Sequence, residues 1–244
     1  MGLIDLHCHL LPGVDDGALD LDDSAAMAAR ALREGITAVC ATPHVRHDHE
    51  VRIGELAGRV AALGEELARR EIPLRVLAGG EVAEPVLSRL DDSELRAVAL
   101  GGGRFVLLEP AAGPLSDRLD AAVEQLGRRG FHALIAHPER HLAEDMLERL
   151  ARLVDRGALV QATAAALERG PAVEGMRALA ARGLVHVLAT DAHSSHGGRP
   201  MRIAGGLEAL RDVERVAPHL DWIARAAPEA IVSGEVPRPP FAAG

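Results

Sequence analysis

The sequence LIDLHCH at residues 3–9 alternates apolar and polar side chains, a pattern typical of a β-strand. Residues two apart in a strand share a face, so His7 and His9 project together. The loop that follows adds two carboxylates, Asp15 and Asp16. Imidazole and carboxylate ligands together suit zinc, manganese or iron better than calcium. We therefore expect a transition-metal site at the end of this first strand.

The alternation of strand, polar loop and helix recurs along the chain. Strands are predicted at 3–9, 36–41, 74–78, 105–108, 133–136, 158–161 and 185–189. Helices are predicted near 22–34, 51–70, 84–90, 116–129, 141–156 and 171–182, with a helical remainder to about residue 232. Seven alternations without a composition break predict a parallel sheet closed as an α/β barrel, in a single domain over residues 1–244.

Histidine and carboxylate side chains follow most of these strands. The candidate metal ligands are His7, His9, Asp16, His44, Glu81, Glu109, His137, Asp191 and His193. In a parallel α/β barrel the carboxyl ends of the strands converge on one face, where active sites are built. Nine ligands exceed the need of one tetrahedral ion, and carboxylates can bridge, so two or three divalent ions are expected.

Clustered divalent ions suggest a reaction at phosphorus. They lower the pKa of a bound water and hold the attacking and leaving oxygens of a displacement, which favours phosphoester hydrolysis. Arg140 and Arg199 follow two of the ligand strands and are the candidate catalytic residues, since guanidinium groups bind phosphate oxygens in bidentate fashion. The alternative for each is an arginine that faces solvent or forms an ordinary ion pair.

Several short motifs together carry a family resemblance. They are HCH at 7–9 with LPGVDDG at 11–17, ATPH at 41–44, GGE at 79–81, LLEP at 107–110, HPER at 137–140 and TDAH at 190–193. In this order and spacing they resemble the bacterial protein-tyrosine phosphatases of the PHP (polymerase and histidinol phosphatase) superfamily, of the CpsB/CapC/YwqE type. The similarity covers nearly the whole chain, as far as APEAIVSG at 227–234.

The resemblance implies a distorted (β/α)7 barrel of the PHP type. It also implies a trinuclear site usually filled by manganese, with iron, zinc or cobalt as alternatives. The implied activity removes phosphate from tyrosines of a bacterial tyrosine kinase that controls capsule or exopolysaccharide synthesis. Arg140 and Arg199 fall where the family has its phosphate-binding arginines, whereas His141 stands where the family usually has Tyr.

The resemblance further implies how the ligands divide among three ions. The implied sets are His7, His9, Glu81 and Asp191 for the first ion, Glu109 and His137 with a bridging Glu81 for the second, and Asp16, His44 and His193 for the third. Asp16 is preferred to Asp15 because it immediately precedes Gly17.

Two cysteines and several further histidines have other interpretations. Cys40 and Arg46 satisfy the Cys-x5-Arg spacing of cysteine-dependent phosphatases, but the segment between them lacks glycines and Pro43 removes a backbone donor, so we interpret the spacing as accidental. Cys8 is expected to pack in the core. His47 and His49 could protonate a leaving group or simply face solvent, and His132, His186 and His219 are expected to be structural. Asp5 could orient a metal ligand or be a buried structural residue.

Composition restricts the partners. The net charge of −9 disfavours a nucleic-acid binder, and therefore a PHP-type nuclease. There is no signal peptide pattern and no apolar run of about 18 residues, so we expect a cytoplasmic protein without membrane insertion. The remaining alternatives are a histidinol-phosphate phosphatase or other small phosphoester hydrolase on the same barrel, and a non-catalytic regulator that binds a kinase.

Overall fold

The computed structural model describes residues 2–49 and 51–241, and within them parallel strands alternate with helices. The strands are β1 (Leu3–Cys8), β2 (Ile36–Ala41), β3 (His44–Val45), β4 (Arg75–Ala78), β5 (Glu81–Ala83), β6 (Phe105–Glu109), β7 (His132–Ile135), β8 (Leu159–Thr163) and β9 (Val187–Ala189). The helices are α1 (Leu21–Arg33), α2 (Leu56–Arg69), α3 (Asp92–Val98), α4 (Asp117–Arg128), α5 (Met146–Asp155), α6 (Ala164–Glu168), α7 (Val173–Ala181), α8 (Ala204–Arg211) and α9 (Ala227–Val232). Among these described helices, none has the length and apolar character needed to cross a membrane.

The strands form two parallel sheets, in the order β1-β2-β4 and β3-β5-β6-β7-β8-β9. The first strand meets the chain just after the last one, where Asp191 N donates to the His7 carbonyl and His9 N to the Ala192 carbonyl, each at 2.8 Å. The result is an α/β fold with a curled parallel sheet, in the form of a half-barrel. The closed (β/α)7 form stays a prediction.

Apolar side chains fill both faces of the curled sheet. A small inner cluster includes Leu6, Phe105 and Leu134, and a larger outer cluster lies between the strands and the helices. Strands covered on both faces carry nearly continuous apolar runs, as parallel sheets do. Each fully buried Leu or Phe contributes about 1.5–3 kcal/mol through removal from water, so this packing holds the strand ends in place.

An irregularity in β1 sets the direction of the first two predicted ligands. The register with β2 shifts between Asp5 and Cys8, and Leu6 belongs to the inner cluster whereas Cys8 belongs to the outer one. Such irregularities re-aim side chains. The buried Asp5 carboxylate accepts hydrogen bonds from Thr190 N at 3.1 Å and Thr190 Oγ1 at 2.5 Å, and burial raises the pKa of Asp5 to about 6. Asp5 therefore ties β1 to the loop after β9.

The predicted elements differ from the observed ones in three respects. The expected helical remainder, which begins after His193, is wrong for residues 194–203, which form an irregular loop containing Gly197, Gly198 and Pro200. Helices α3 and α6 were not expected, although Asp91 and Glu94 form a capping box at the start of α3. The two short strands β3 and β5 were also missed. They pair with each other through His44 and Glu81, so these two residues, which follow β2 and β4 as predicted, also begin short strands of their own.

Candidate metal centre

All nine predicted ligands come together in the structure. They form four overlapping groups in which the potential ligand atoms lie within 4.8 Å of one another: His9, Asp16, His44 and His193; His7, His9 and Asp191; His7, Glu81 and His137; and His44, Glu81 and Glu109. Four residues belong to two groups each, so the donors make one continuous cluster. This division differs from the one implied by the resemblance, since His9 joins the third set and His44 joins Glu81 and Glu109.

Glu81 lies at the centre of this cluster. Its Oε2 lies 3.4 Å from Nε2 of His7 and of His9 and 2.7 Å from His44 Nδ1, and its Oε1 lies 2.7 Å from His137 Nε2. Burial opposes ionisation of this carboxyl, but the surrounding imidazoles outweigh burial and hold the pKa of Glu81 well below its usual range. Glu81 is therefore an anionic bridge between the groups.

Unpaired buried atoms show that the donor set fits divalent ions. Within the described part of the chain, His44 Nδ1, Glu81 Oε2, His137 Nδ1 and Asp191 Oδ1 are buried without a hydrogen-bond partner. His44 Nδ1 and Glu81 Oε2 are close, but they are not oriented as a hydrogen bond. Leaving such atoms unpaired costs about 1–3 kcal/mol each, and nitrogen and oxygen donors facing a common centre are the ligands of zinc, manganese and iron.

Backbone strain occurs at two of the ligands. His137 has φ of 31° and Asp191 has φ of 51°, both in the left-handed region that residues other than glycine rarely adopt. Conformations of this kind cost on the order of 1–3 kcal/mol and persist where the surrounding structure imposes them. Here the strain directs each side chain toward the cluster immediately after a buried strand.

The loop after β1 supplies one residue to the cluster and one to its support. Asp16 Oδ1 lies 3.2 Å from His44 Nε2, and so Asp16 belongs to a metal-capable group. Asp15 Oδ2 instead lies 2.7 Å from His9 Nδ1 and accepts from His44 N at 2.9 Å. A side chain at Gly17 would place its Cβ 2.3 Å from the His9 carbonyl oxygen, so only glycine permits this turn.

Gln161, on β8, was not identified from the sequence. Its Oε1 lies 3.0 Å from His7 Nδ1 and accepts from His137 N at 3.3 Å. The amide oxygen can only accept, so His7 carries a proton on Nδ1, and in the neutral ring its Nε2 carries the free lone pair that faces the cluster. Gln161 stands on the one predicted strand that ends without a histidine or carboxylate, and this position was the available signal.

Both predicted arginines lie at the edge of the cluster. One Nη atom of Arg140 and one of Arg199 each lie 2.5 Å from Asp191 Oδ2, and Arg199 Nη2 lies 2.6 Å from His193 Nε2. Their side chains are 38% and 33% exposed. Each guanidinium has five N–H donors, more than these contacts use. Both groups can therefore hold Asp191 and still face an incoming anion.

Arg46 was not predicted as a site residue. Its Nη1 lies 3.5 Å from Glu109 Oε1, and two further nitrogens contact the Asp48 carboxylate at 2.9 and 2.7 Å. Cys40, by contrast, is fully buried in the inner apolar cluster, and burial raises the pKa of its thiol to about 12. The Cys-x5-Arg spacing therefore brings no reactive thiolate to the site.

A cavity of about 420 Å³ opens beside Glu109, His137 and Arg140. We name it the side cavity. Its apolar wall consists of Ala83, Pro85, Pro110, Ala111 and Ala112. Its volume is that of a small-molecule site, and the wall suits a flat apolar group next to the cluster.

The other histidines divide between the site and the core. His47 lines the side cavity, and the ring of His49 stacks on His44 at 5.1 Å between centroids. His186 is buried, accepts from Val160 N, and has a pKa lowered to about 4 by burial. His132 stacks on Phe105, and His219 contacts Phe241.

Comparison with known proteins gives the family. Residues 3–217 match the family model described as Capsular polysaccharide synthesis, CpsB/CapC. The tyrosine-protein phosphatase YwqE of Bacillus subtilis is 34% identical over 200 residues, which cover 79% of this chain and 78% of YwqE. The putative tyrosine-protein phosphatase CapC of Staphylococcus aureus is 27% identical over 200 residues, covering 79% of this chain and 77% of CapC.

The fold gives the same result. One similar crystal structure comes from work on YwqE from Bacillus subtilis and CpsB from Streptococcus pneumoniae, described as unique metal-dependent tyrosine phosphatases. It matches this chain with a TM-score of 0.82 and 28% identity, and the match covers 99% of each chain. The phosphotriesterase homology protein of Escherichia coli shares only the fold, with a TM-score of 0.58 and 13% identity over 95% of this chain and 98% of that one. This chain therefore belongs to the CpsB/CapC family of capsular polysaccharide synthesis proteins.

Proposed function

We propose that this protein is a metal-dependent protein-tyrosine phosphatase. Its proposed substrate is phosphotyrosine on a bacterial tyrosine kinase that regulates capsule or exopolysaccharide synthesis. The observation that carries the proposal is the continuous cluster of nine donors with two guanidinium groups at its edge. The relatives YwqE and CpsB, described as metal-dependent tyrosine phosphatases, support it.

The proposed cofactor is a set of two to three divalent ions, with manganese preferred and iron, zinc or cobalt as alternatives. The four groups of donors described above would hold them, and Glu81 would bridge. When bound, such ions supply a water of lowered pKa and stabilise charge that develops at phosphorus. We further propose that residues 1–244 form one domain, with the curled sheet closed as a distorted (β/α)7 barrel of the PHP type, because hydrogen bonds join the ends of β1 and the loop after β9.

Side chains around the cluster have separate roles in this proposal. Arg140 and Arg199 bind the equatorial oxygens of the phosphoryl group, where their fixed N–H donors stabilise the developing charge. Gln161 and Asp15 orient His7 and His9 through the ring nitrogens that face away from the cluster. The side cavity holds the tyrosine ring and keeps water from it. Phenolate is a good leaving group, so a strong general acid is not needed.

Three features bear on a cytoplasmic site of action and on the alternative functions. Both cysteines are buried free thiols, which agrees with a reducing compartment. The apolar wall of the side cavity suits a phenyl ring better than the cationic chain of histidinol phosphate. The intact set of nine donors argues against a non-catalytic regulator.

Turnover by metal-reconstituted protein tests the proposal. Protein stripped with a chelator and reloaded with manganese should hydrolyse a phosphotyrosine peptide far faster than histidinol phosphate or a phosphoserine peptide. Glu81→Ala should abolish turnover and lower the metal content, since it removes one of the four donors shared by two groups and the carboxylate that lies against four imidazoles. Glu229→Ala, on α9 and outside the cluster, is the control. Preferential turnover of histidinol phosphate, or full activity of the stripped protein, would contradict the proposal.

A further inference from the structure

His141 is a polar residue of the side cavity that the mechanism above does not use. It follows Arg140 directly, lines the cavity and is only 5% exposed. Its ring lies nearly parallel to that of His137, with 6.5 Å between the centroids and 22° between the planes. The ring is thus almost completely buried.

One nitrogen of His141 is fixed and the other is unpaired. Nδ1 lies 2.7 Å from the carbonyl oxygen of Gly113. A carbonyl can only accept, so Nδ1 carries a proton, and in the neutral ring Nε2 is an acceptor. Over the residues that the structure describes, Nε2 is buried and has no hydrogen-bond partner. An unpaired buried atom calls for an explanation, and His141 lines a cavity that a ligand with a hydrogen-bond donor could enter.

The chemistry of the substrate restricts that donor. The oxygen of a phosphotyrosine ring carries the phosphoryl group and has no proton to donate, and the ring itself has none. The main-chain N–H of the tyrosyl residue and those of its neighbours are the donors closest to the ring in a peptide. An aryl phosphate without a peptide has no equivalent donor.

We propose that His141 is a specificity-determining residue, whose Nε2 accepts a hydrogen bond from a main-chain N–H of the phosphotyrosyl segment. The tyrosine ring packs against the apolar wall formed by Pro85, Pro110 and their neighbours, and His141 binds the main chain of the peptide that carries the ring. The inference rests on the proposed phosphatase function. It adds that the site distinguishes phosphotyrosine in a polypeptide from small aryl phosphates.

Two substitutions with amide side chains test the roles of the two nitrogens of His141 one at a time. His141→Asn keeps a donor in the place of Nδ1, next to the Gly113 carbonyl, and loses the distal acceptor. His141→Gln keeps an acceptor in the place of Nε2. His219→Asn, on the 3-10 turn Ala217–His219, repeats the first exchange away from the side cavity. The substrates are a phosphotyrosine peptide and p-nitrophenyl phosphate, and calorimetry measures binding of a non-hydrolysable phosphonate peptide.

We expect His141→Asn to raise KM for the peptide, and Kd for the phosphonate peptide, about tenfold, as for one lost hydrogen bond. KM for p-nitrophenyl phosphate should rise less than KM for the peptide, because its ring enters the side cavity but it has no main-chain N–H, and both values of kcat should stay close to wild type. His141→Gln should restore most of the peptide affinity, and His219→Asn should match wild type throughout. Unchanged peptide affinity in His141→Asn, or equal losses on both substrates, would overturn the inference. If the wild-type protein does not hydrolyse the phosphotyrosine peptide but hydrolyses another ester, the proposed protein-tyrosine phosphatase function is itself refuted.

Discussion

Replacing Arg140 or Arg199 by alanine should slow phosphotyrosine hydrolysis without unfolding the protein. Each guanidinium lies 2.5 Å from Asp191 Oδ2 and has further N–H donors at the edge of the cluster. Loss of one fixed donor to a developing oxyanion costs about 2.7–4 kcal/mol, or roughly 10²- to 10³-fold in rate. We therefore expect kcat/KM of each single variant to fall by about that factor.

The shared partner makes the two changes non-additive. Both arginines contact the same carboxylate oxygen, and residues in one network commonly couple by about 0.5–3 kcal/mol. The double variant should therefore lose less than the product of the single losses. Stability of each single variant should change little, because the buried Asp191 carboxylate keeps the other arginine as a partner and the arginine that is removed is itself partly exposed.

The assay combines steady-state kinetics with a metal analysis of every variant, since Asp191 is also a predicted metal ligand. Arg202→Ala is the matched control. That arginine follows Arg199 by three residues, is 41% exposed and pairs with Glu168 at 2.6 Å, outside the cluster. Arg202→Ala should keep its rate. Rates near wild type for both Arg140→Ala and Arg199→Ala, with metal content unchanged, would refute the assignment of these residues to the phosphoryl group.

Three further predictions concern metal, thiol and pH. Purified protein should carry two to three divalent ions by mass spectrometry, lose activity to a chelator and recover it best with manganese or cobalt; a fully active metal-free protein would contradict this. Cys40→Ser should keep most of its kcat/KM, even if the buried hydroxyl lowers the free energy of unfolding by about 1–3 kcal/mol; a loss of several orders of magnitude in a folded variant would revive a thiolate mechanism. Burial lowers the pKa of His186 in the folded protein to about 4, below the ordinary 6.5. As the pH drops from 6.5 toward 4, the unfolded chain binds a proton at this histidine before the folded protein does, so the folded state loses stability. Denaturant unfolding should show that the free energy of unfolding falls by about 1 kcal/mol per pH unit. The fall should be smaller in His186→Phe, and the same pH slope in wild type and variant would exclude His186 as the cause.

Much of the architecture follows from periodicity. Strand β2 occupies residues 36–41, the range predicted from its apolar run, and Gly35 before it has φ of 81°, as expected of a residue that ends a helix. The nine donors could be predicted because parallel strands bring their carboxyl ends to one face whatever their separation in sequence. This rule needs only the order of the elements, and local patterns supply that order.

The missed elements are those in which distant contacts outweigh local pattern. Strand β3 has two residues and β5 has three, too few for an alternation to be seen, and they exist because His44 and Glu81 pair across the sheet. The predicted strand at 74–78 ends before Gly79 and Gly80, and a Cβ at Gly80 would lie only 3.0 Å from Val98 Cβ, so this glycine also permits close packing.

The supporting residues of the cluster are the hardest to predict, because their roles depend on contacts across the chain. Gln161 and His7 are 154 residues apart, and an amide is not a typical metal ligand, so nothing local marks it. Asp15 and Asp16 are adjacent and chemically identical, and only the fold turns one carboxylate to His9 Nδ1 and the other to His44 Nε2. The positions of the candidate ligands are thus set by strand order, which the sequence reveals. Their orientation is set by hydrogen bonds between strands, and these determine which nitrogen of each imidazole can bind a metal.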